Sequence, residues 1–295
     1  MKKELTAIIS GIKRSEIHDG DGMRTTVFFK GCPLRCLWCH NPESISQAES
    51  LAHFGDKCIG CGCCTEVCKS GAVTSGVIDR DRCTACGECA KVCPTEAMRL
   101  FGETVSVDAL YRRLIADRPF FGKVGGVTLS GGECLMQADA ATALSERLYE
   151  SGISVNIDTC GYTAARTLDA ILPYADTFLY DVKAISPEVH KKCTGRDNSL
   201  ILDNLAHLSS RGAKIEIRFP LVVGYNDGET DRIGEHLAAL RGIVRVKVLR
   251  YHNLAASRYQ ALGMRSALPE ARTEEGDVLR AVEVLRRYGL NAVSD

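Results

Sequence analysis

Net charge is absent from this sequence: 37 lysines and arginines balance 37 aspartates and glutamates over 295 residues. The two signs interleave instead of forming blocks, which excludes an electrostatic footprint for nucleic acid and leaves a mixed, solvated surface. Long apolar runs are also missing, and no stretch of about 18 apolar residues exists to span a bilayer. The opening MKKELTAIISGIKR has a short apolar run broken by Gly11 and Lys13, too short for a secretory signal. Tryptophan occurs once, as Trp38. The expectation is a cytoplasmic protein with neither a membrane nor a nucleic-acid partner.

Cysteine, by contrast, is abundant. In a reducing compartment fifteen cysteines argue for metal or redox chemistry, not a disulfide scaffold. Twelve of them lie between Cys32 and Cys93. Inside that region is a repeat: KCIGCGCCTEVCKSGAV from Lys57 aligns with RCTACGECAKVCPTEAM from Arg82, every matching cysteine being offset by 25 residues. Segments so poor in large apolar side chains need metal ligation for cohesion. Each half reads C-x2-C-x2-C-x3-C and so resembles bacterial ferredoxins that carry two [4Fe–4S] clusters. In those proteins the fourth cysteine of each run serves the other cluster. The resemblance implies Cys58, Cys61, Cys64 and Cys93 on one cluster, with Cys83, Cys86, Cys89 and Cys68 on the second. Cys63 breaks the 25-residue register and is left as a free thiol. A pair of structural zinc sites is the competing reading, but zinc motifs pair two knuckles across a spacer.

The rest of the chain alternates strand-like and helical stretches. TTVFFKG, GGVTLSGG, ISVNIDT, TFLYDVK, KIEIRFPLV and VRVKVLRY are β-branched runs bounded by Gly, Pro or Asp. Between them lie helical patterns such as SVDALYRRLIADR, ADAATALSERLYESG and LILDNLAHLSSRG. Such alternation predicts an α/β fold with a parallel sheet, open or barrel-like, and places chemistry at the C-terminal ends of the strands.

A second cysteine group follows the first of these strands directly. Cys32, Cys36 and Cys39 form C-x3-C-x2-C, with Trp38 before the last cysteine. It resembles the signature of the radical S-adenosylmethionine (SAM) superfamily. There, three thiolates hold a [4Fe–4S] cluster, and the fourth iron is left for the amino and carboxylate groups of SAM. The wider segment DGDGMRTTVFFKGCPLRCLWCHNPES is similar to the activating enzymes of glycyl radical enzymes. Asp21 and Met23 replace that family's usual proline and isoleucine.

The resemblance implies a partial (β/α)6 TIM-like barrel with an inserted ferredoxin-like domain. The segments are then 1–55 for the N-terminal part of the core, 56–98 for the insert and 99–295 for the remainder. It also implies a SAM site. Gly131, Gly132 and Glu133 of SGGE would meet the SAM amino group, and Asp158 would give a polar contact at a strand end. Asp181 and Lys183 match the family's D-x-K motif, which positions the SAM carboxylate, and Arg218 approaches the same group. His252 matches a family histidine just past the last strand, while Trp38 and His40 would line the site. Cys134, Cys160 and Cys193 have no companions and are read as buried or incidental thiols.

The implied function is activation of a glycyl radical enzyme. Reductive cleavage of SAM would give a 5′-deoxyadenosyl radical that abstracts hydrogen from a glycine Cα of the partner. The insert points to a dehydratase, decarboxylase, or C–N or C–S lyase client in place of formate lyase. Three [4Fe–4S] clusters, a ferredoxin or flavodoxin donor and a monomeric state complete the expectation. The insert relays electrons or helps dock the partner. Competing readings are a radical SAM enzyme of another branch (a peptide maturase or the anaerobic ribonucleotide reductase activator), a non-catalytic iron–sulfur electron carrier, and a zinc-stabilised scaffold.

Overall fold

The computed structural model describes residues 4–295. Met1, Lys2 and Lys3, which open the predicted 1–55 segment, lie outside the described residues. The chain begins with a long strand, β1 (Thr6–Glu16), that runs antiparallel to β2 (Arg24–Phe29). Then comes β3 (Ser50–His53), which pairs antiparallel with β6 (Met98–Phe101). Between these two lie the short helices α1 (Cys63–Glu66) and α2 (Glu88–Lys91), separated by a hairpin of β4 (Val73–Thr74) and β5 (Val77–Ile78). Residues 56–98 thus run almost wholly between the two strands of the β3–β6 pair.

After β7 (Glu103–Ser106) and α3 (Val107–Ile115), strands and helices alternate as the sequence pattern requires. They run β8 (Gly126–Gly131), α4 (Ala138–Glu150), β9 (Ser154–Thr159), α5 (Ala165–Ile171) and β10 (Thr177–Asp181). Next are α6 (Pro187–Thr194), α7 (Ser199–Ser210), β11 (Ile215–Leu221), α8 (Thr230–Ala238) and β12 (Ile243–Arg250). The chain finishes with α9 (Ala256–Ala261), α10 (Glu275–Arg287) and β13 (Ala292–Ser294).

One nine-stranded sheet has the order β13-β12-β11-β10-β9-β8-β2-β1-β7. From β2 through β13 every neighbour is parallel; β1 and β7 add an antiparallel edge. Because β8 to β13 lie side by side in chain order, no topological switch point arises and the sheet winds one way. It stays open, with β7 and β13 as its edges. This is a partial barrel, and all six predicted strands are present in it. The central strands are buried on both faces, although Thr25, Thr26, Thr128 and Glu216 stand among their apolar residues. Helices cover the outside with apolar stripes, as in α10, where Val278, Ala281, Val282 and Leu285 face inward.

At the opposite end of the strands, Arg24 is fully buried and binds three neighbours. It donates to Thr128 Oγ1 (2.8 Å), Val127 O (2.7 Å) and Ser154 O (3.1 Å), so the DGDGMR segment locks β2, β8 and β9 together. Among the described residues no helix is long and apolar enough to cross a membrane.

Candidate active site

One cavity opens at the C-terminal ends of the parallel strands, and of the residues that the resemblance assigns to the SAM site all but Glu133 line it. Cys32, Cys36, Trp38, Cys39 and His40 come from the loop after β2; Gly131 and Gly132 from the end of β8; Asp158 from β9 and Cys160 from just past it. Asp181 and Lys183 follow from β10, Arg218 from β11 and His252 from just past β12. Arg218 sits inside its strand, in register with Asp181 on β10. Loops that scatter in sequence converge here because parallel strands all point the same way.

The glycines of SGGE are required by backbone packing. Gly131 has φ of +118°, and a Cβ there would lie 2.2 Å from Phe29 N. At Gly132 a Cβ would lie 2.4 Å from both Gly31 O and Ser44 O. The strand end of β8 is thus pressed against the cysteine loop, with Gly132 N donating to Phe29 O (2.9 Å) and Glu133 N to Gly31 O (2.8 Å).

Glu133 differs from the expectation. It is buried and does not line the cavity, and its carboxylate is already engaged. It accepts from Leu135 N (3.1 Å), Cys160 N (2.8 Å) and Thr159 Oγ1 (2.9 and 3.0 Å). Burial raises its pKa, and the bonds from Cys160, Leu135 and Thr159 oppose that rise. This side chain joins the ends of β8 and β9, leaving the neighbouring glycine backbone to face the cavity.

Charges of both signs meet inside. Lys183 Nζ donates to Asp181 Oδ2 at 2.6 Å and is almost fully buried. Burial alone would lower its pKa, but Asp181, with the Cys36 and Cys160 thiols, outweighs that and raises it. Arg218 contacts Asp19 Oδ1 at 3.2 Å and Asp158 Oδ1 at 3.7 Å. Burial again opposes its charge, and Asp158, Asp19 and Asp181 overcome the opposition. Asp158 accepts from Ser130 Oγ at 2.5 Å. Burial, only partly countered by Arg218, pushes its carboxyl up to about 7. His40 and His252 stack with ring centroids 4.3 Å apart on one wall.

Asp19 was not singled out from the sequence, although it is the first residue of the quoted DGDGMR stretch. Its signal is long-range: it pairs with Arg218, 199 residues away. Tyr259 is a second such residue, donating through its hydroxyl to Cys39 O at 3.2 Å.

The chemistry of the donor set fits a site-differentiated cluster with SAM. Burial pushes the thiols of Cys32 and Cys36 up to about 12 and that of Cys39 to about 11, so only a bound cation would hold them as thiolates. Arg218 Nε is buried without a hydrogen-bond partner, a donor that a ligand carboxylate would satisfy. Adjacent cations and carboxylates match the zwitterionic end of an amino acid.

In the 56–98 segment a small cavity is lined by Cys58, Cys61, Cys64 and Cys93, the four grouped from the sequence. Burial pushes the Cys89 thiol up to about 11, and the neighbouring Cys83, Cys68 and Cys86 add to the rise, so these four also stand together. Cys64 is buried, whereas Cys63 lies outside that cavity. Among the described residues no three His, Cys, Asp or Glu side chains converge as ligands of a single metal ion. Thiols that each hold a different iron of a cube stand farther apart than four donors about 2.3 Å from one zinc. Cys134, Cys160 and Cys193 are all buried, in keeping with the reading of them as packed thiols.

Comparison with known proteins agrees with this geometry. The radical SAM superfamily profile matches residues 26–237. The trans-4-hydroxy-L-proline dehydratase activating enzyme of Clostridioides difficile is 41% identical over 267 residues, covering 88% of each chain. The choline trimethylamine-lyase activating enzyme of Oleidesulfovibrio alaskensis is 38% identical, covering 97% of this chain and 96% of its own. The indoleacetate decarboxylase activating enzyme of Tractidigestivibacter scatoligenes is 33% identical and covers 99% of both. Among solved structures, a domain of the pyruvate-formate lyase-activating enzyme from Bacteroides vulgatus superposes with a TM-score of 0.50 at 26% identity, covering 58% of this chain and 99% of its own. The Streptococcus suis protein SuiB, bound to its precursor peptide, has a TM-score of 0.58 at 12% identity, covering 90% of this chain and 46% of its own, a likeness of fold alone. The chain belongs to the radical SAM superfamily and, within it, to the activating enzymes of glycyl radical enzymes.

Proposed function

We propose that this enzyme activates a glycyl radical enzyme of the dehydratase, decarboxylase, or C–N or C–S lyase type, using SAM held in the cavity at the strand ends. The observation that carries the reading is the convergence there of Cys32, Cys36 and Cys39 with Lys183, Arg218 and the glycine turn of β8. When bound, a [4Fe–4S] cluster supplies the electron that splits SAM into methionine and a 5′-deoxyadenosyl radical, which takes hydrogen from the partner's glycine Cα.

The residues of the chain divide the remaining work. Cys32, Cys36 and Cys39 would hold the cluster through their thiolates. The backbone of Gly131 and Gly132 faces the SAM amino group. Lys183, fixed by Asp181, and Arg218, fixed by Asp19, give positive charge to the carboxylate. Asp158, linked to Ser130, offers a polar contact nearby, and Trp38, His40 and His252 form the walls. Buried charges paired before SAM arrives need little reorganisation when it binds.

The insert holds two further [4Fe–4S] clusters in this reading, one on Cys58, Cys61, Cys64 and Cys93, the other on Cys83, Cys86, Cys89 and Cys68. Its function is electron relay from an external ferredoxin or flavodoxin, in an enzyme that works as a cytoplasmic monomer. Support comes from the gathering of each cysteine quartet and from relatives named as activators of dehydratase, lyase and decarboxylase partners. Anaerobic incubation of the reconstituted protein with SAM and dithionite tests the central part. Release of 5′-deoxyadenosine and methionine in equal amounts is expected, and no 5′-deoxyadenosine above a Cys36→Ser control contradicts it.

A further inference from the structure

The insert touches the core through a route that bears on the SAM site. Arg80, just after the β4–β5 hairpin, donates to Leu51 O on β3 and, through Nη2, to Ala261 O at 3.0 Å. Ala261 is the last residue of α9, so the guanidinium satisfies a carbonyl that a helix C-terminus leaves open. Gly263, with φ of +64°, sits where a Cβ would come within 3.1 Å of Arg80 Nε. A larger residue there would crowd the contact.

From the same helix, two side chains reach the catalytic loop. Tyr259, itself buried, donates to Cys39 O at 3.2 Å. Arg258 donates to His40 O (3.1 Å), Asn41 Oδ1 (3.1 Å) and Glu43 Oε1 (2.9 Å). Six residues are too few to hold a helix by themselves, so α9 takes its position from what it touches. On one side that is the insert and the β3–β6 pair, where Ala261 and Leu262 pack with Ala52 and Phe101. On the other it is the segment from Cys39 to Glu43.

We propose that Arg80 is a positioning residue for the SAM site, acting through α9 to hold the Cys39–Glu43 loop. The insert then has a mechanical role in the core that is independent of any electron relay. Its removal or distortion loosens the loop that carries the third cluster ligand and one wall of the cavity. Apparent relay defects in insert variants contain this second contribution unless the two are separated.

Hydrogen–deuterium exchange of the reconstituted, cluster-loaded enzyme separates them. Arg80→Gln is expected to speed amide exchange several-fold across residues 36–45 and to raise the Kd for SAM, with iron and sulfide content unchanged. Tyr259→Phe leaves Arg80 and the insert intact, and it is expected to speed exchange in the same loop. Unchanged exchange across 36–45 in Arg80→Gln overturns the proposal, whether or not Tyr259→Phe has an effect. Should Arg80→Gln lose insert iron, the decision passes to Arg80→Lys, which keeps the charge but cannot span Leu51 O and Ala261 O together. Faster loop exchange with full iron then supports the proposal, and unchanged exchange overturns it. The SAM measurement rests on the reading of the cavity given above, whereas the exchange measurement does not. A wild-type protein that binds no SAM would count against that reading while leaving the loop result interpretable.

Discussion

Two buried cations, Lys183 and Arg218, sit in the cavity with carboxylates already beside them. Pairing inside a desolvated site keeps each charged, and the geometry of the pair decides where the remaining donors point. Arg218 spans Asp19 and Asp158 while leaving Nε without a partner. Lysine offers a single point charge and cannot reproduce that span. Arg218→Lys is therefore expected to weaken SAM binding by about 2 kcal/mol, roughly thirty-fold in Kd, with the clusters retained. Equilibrium binding on the reconstituted enzyme, with iron content alongside, gives the answer.

Asp158 supplies a prediction about pH. Its carboxyl is raised from an ordinary 3.8 to about 7 by burial. Between those values the folded protein holds a proton that the unfolded chain has released, so stability falls as pH rises through this window. The contribution is fully present below about pH 4 and is lost above pH 7. Asp158→Asn keeps an acceptor for Ser130 and removes the titration. In denaturant unfolding of the SAM-free enzyme, the variant is expected to show a shallower loss of stability between pH 4 and pH 7. An unchanged slope would place the titration elsewhere.

At the scale of elements, the decisive contact is between the end of β8 and the cysteine loop. Gly132→Ala would set a methyl against Gly31 O and Ser44 O, each 2.4 Å away. Neither backbone atom can yield without moving the loop, and a cost of about 3 kcal/mol is expected. Loss of the cluster held by Cys32, Cys36 and Cys39 should follow, visible as a loss of iron with global folding by circular dichroism preserved. Six strands were legible in the sequence because each is a short β-branched run bounded by Gly, Pro or Asp and alternating with a helical pattern. β1 was not, since it alternates and pairs antiparallel at an edge where only half the strand is covered. α10 carries a clear apolar stripe but lies beyond the last predicted strand, outside the strand–helix alternation that guided the reading. Within the site, the three cysteines and the SGGE glycines were legible through the family resemblance that their motifs carry. Asp19 and Tyr259 were not, because their partners Arg218 and Cys39 are brought to them only by the folded sheet. Glu133 was legible as a motif residue and misread in orientation, because nothing local shows that Thr159 and Cys160 claim its carboxylate.

For the whole molecule, the open barrel and the 56–98 segment each carry a group of cysteines, linked through β3, β6 and α9. If the segment relays electrons, Cys61→Ser together with Cys86→Ser should slow SAM cleavage several-fold under flavodoxin or ferredoxin and leave it near normal under dithionite, read as 5′-deoxyadenosine over time. Equal slowing under both reductants would instead point to the positional route through Arg80. Beyond both stands the partner protein, the true substrate of an activating enzyme. Electron paramagnetic resonance after anaerobic incubation with SAM, reductant and candidate glycyl radical enzymes tests the account most directly. A glycine-centred doublet on a dehydratase, decarboxylase or lyase partner, dependent on Cys36, is the predicted result. Full clusters and SAM cleavage with no glycyl signal on any such partner would contradict it.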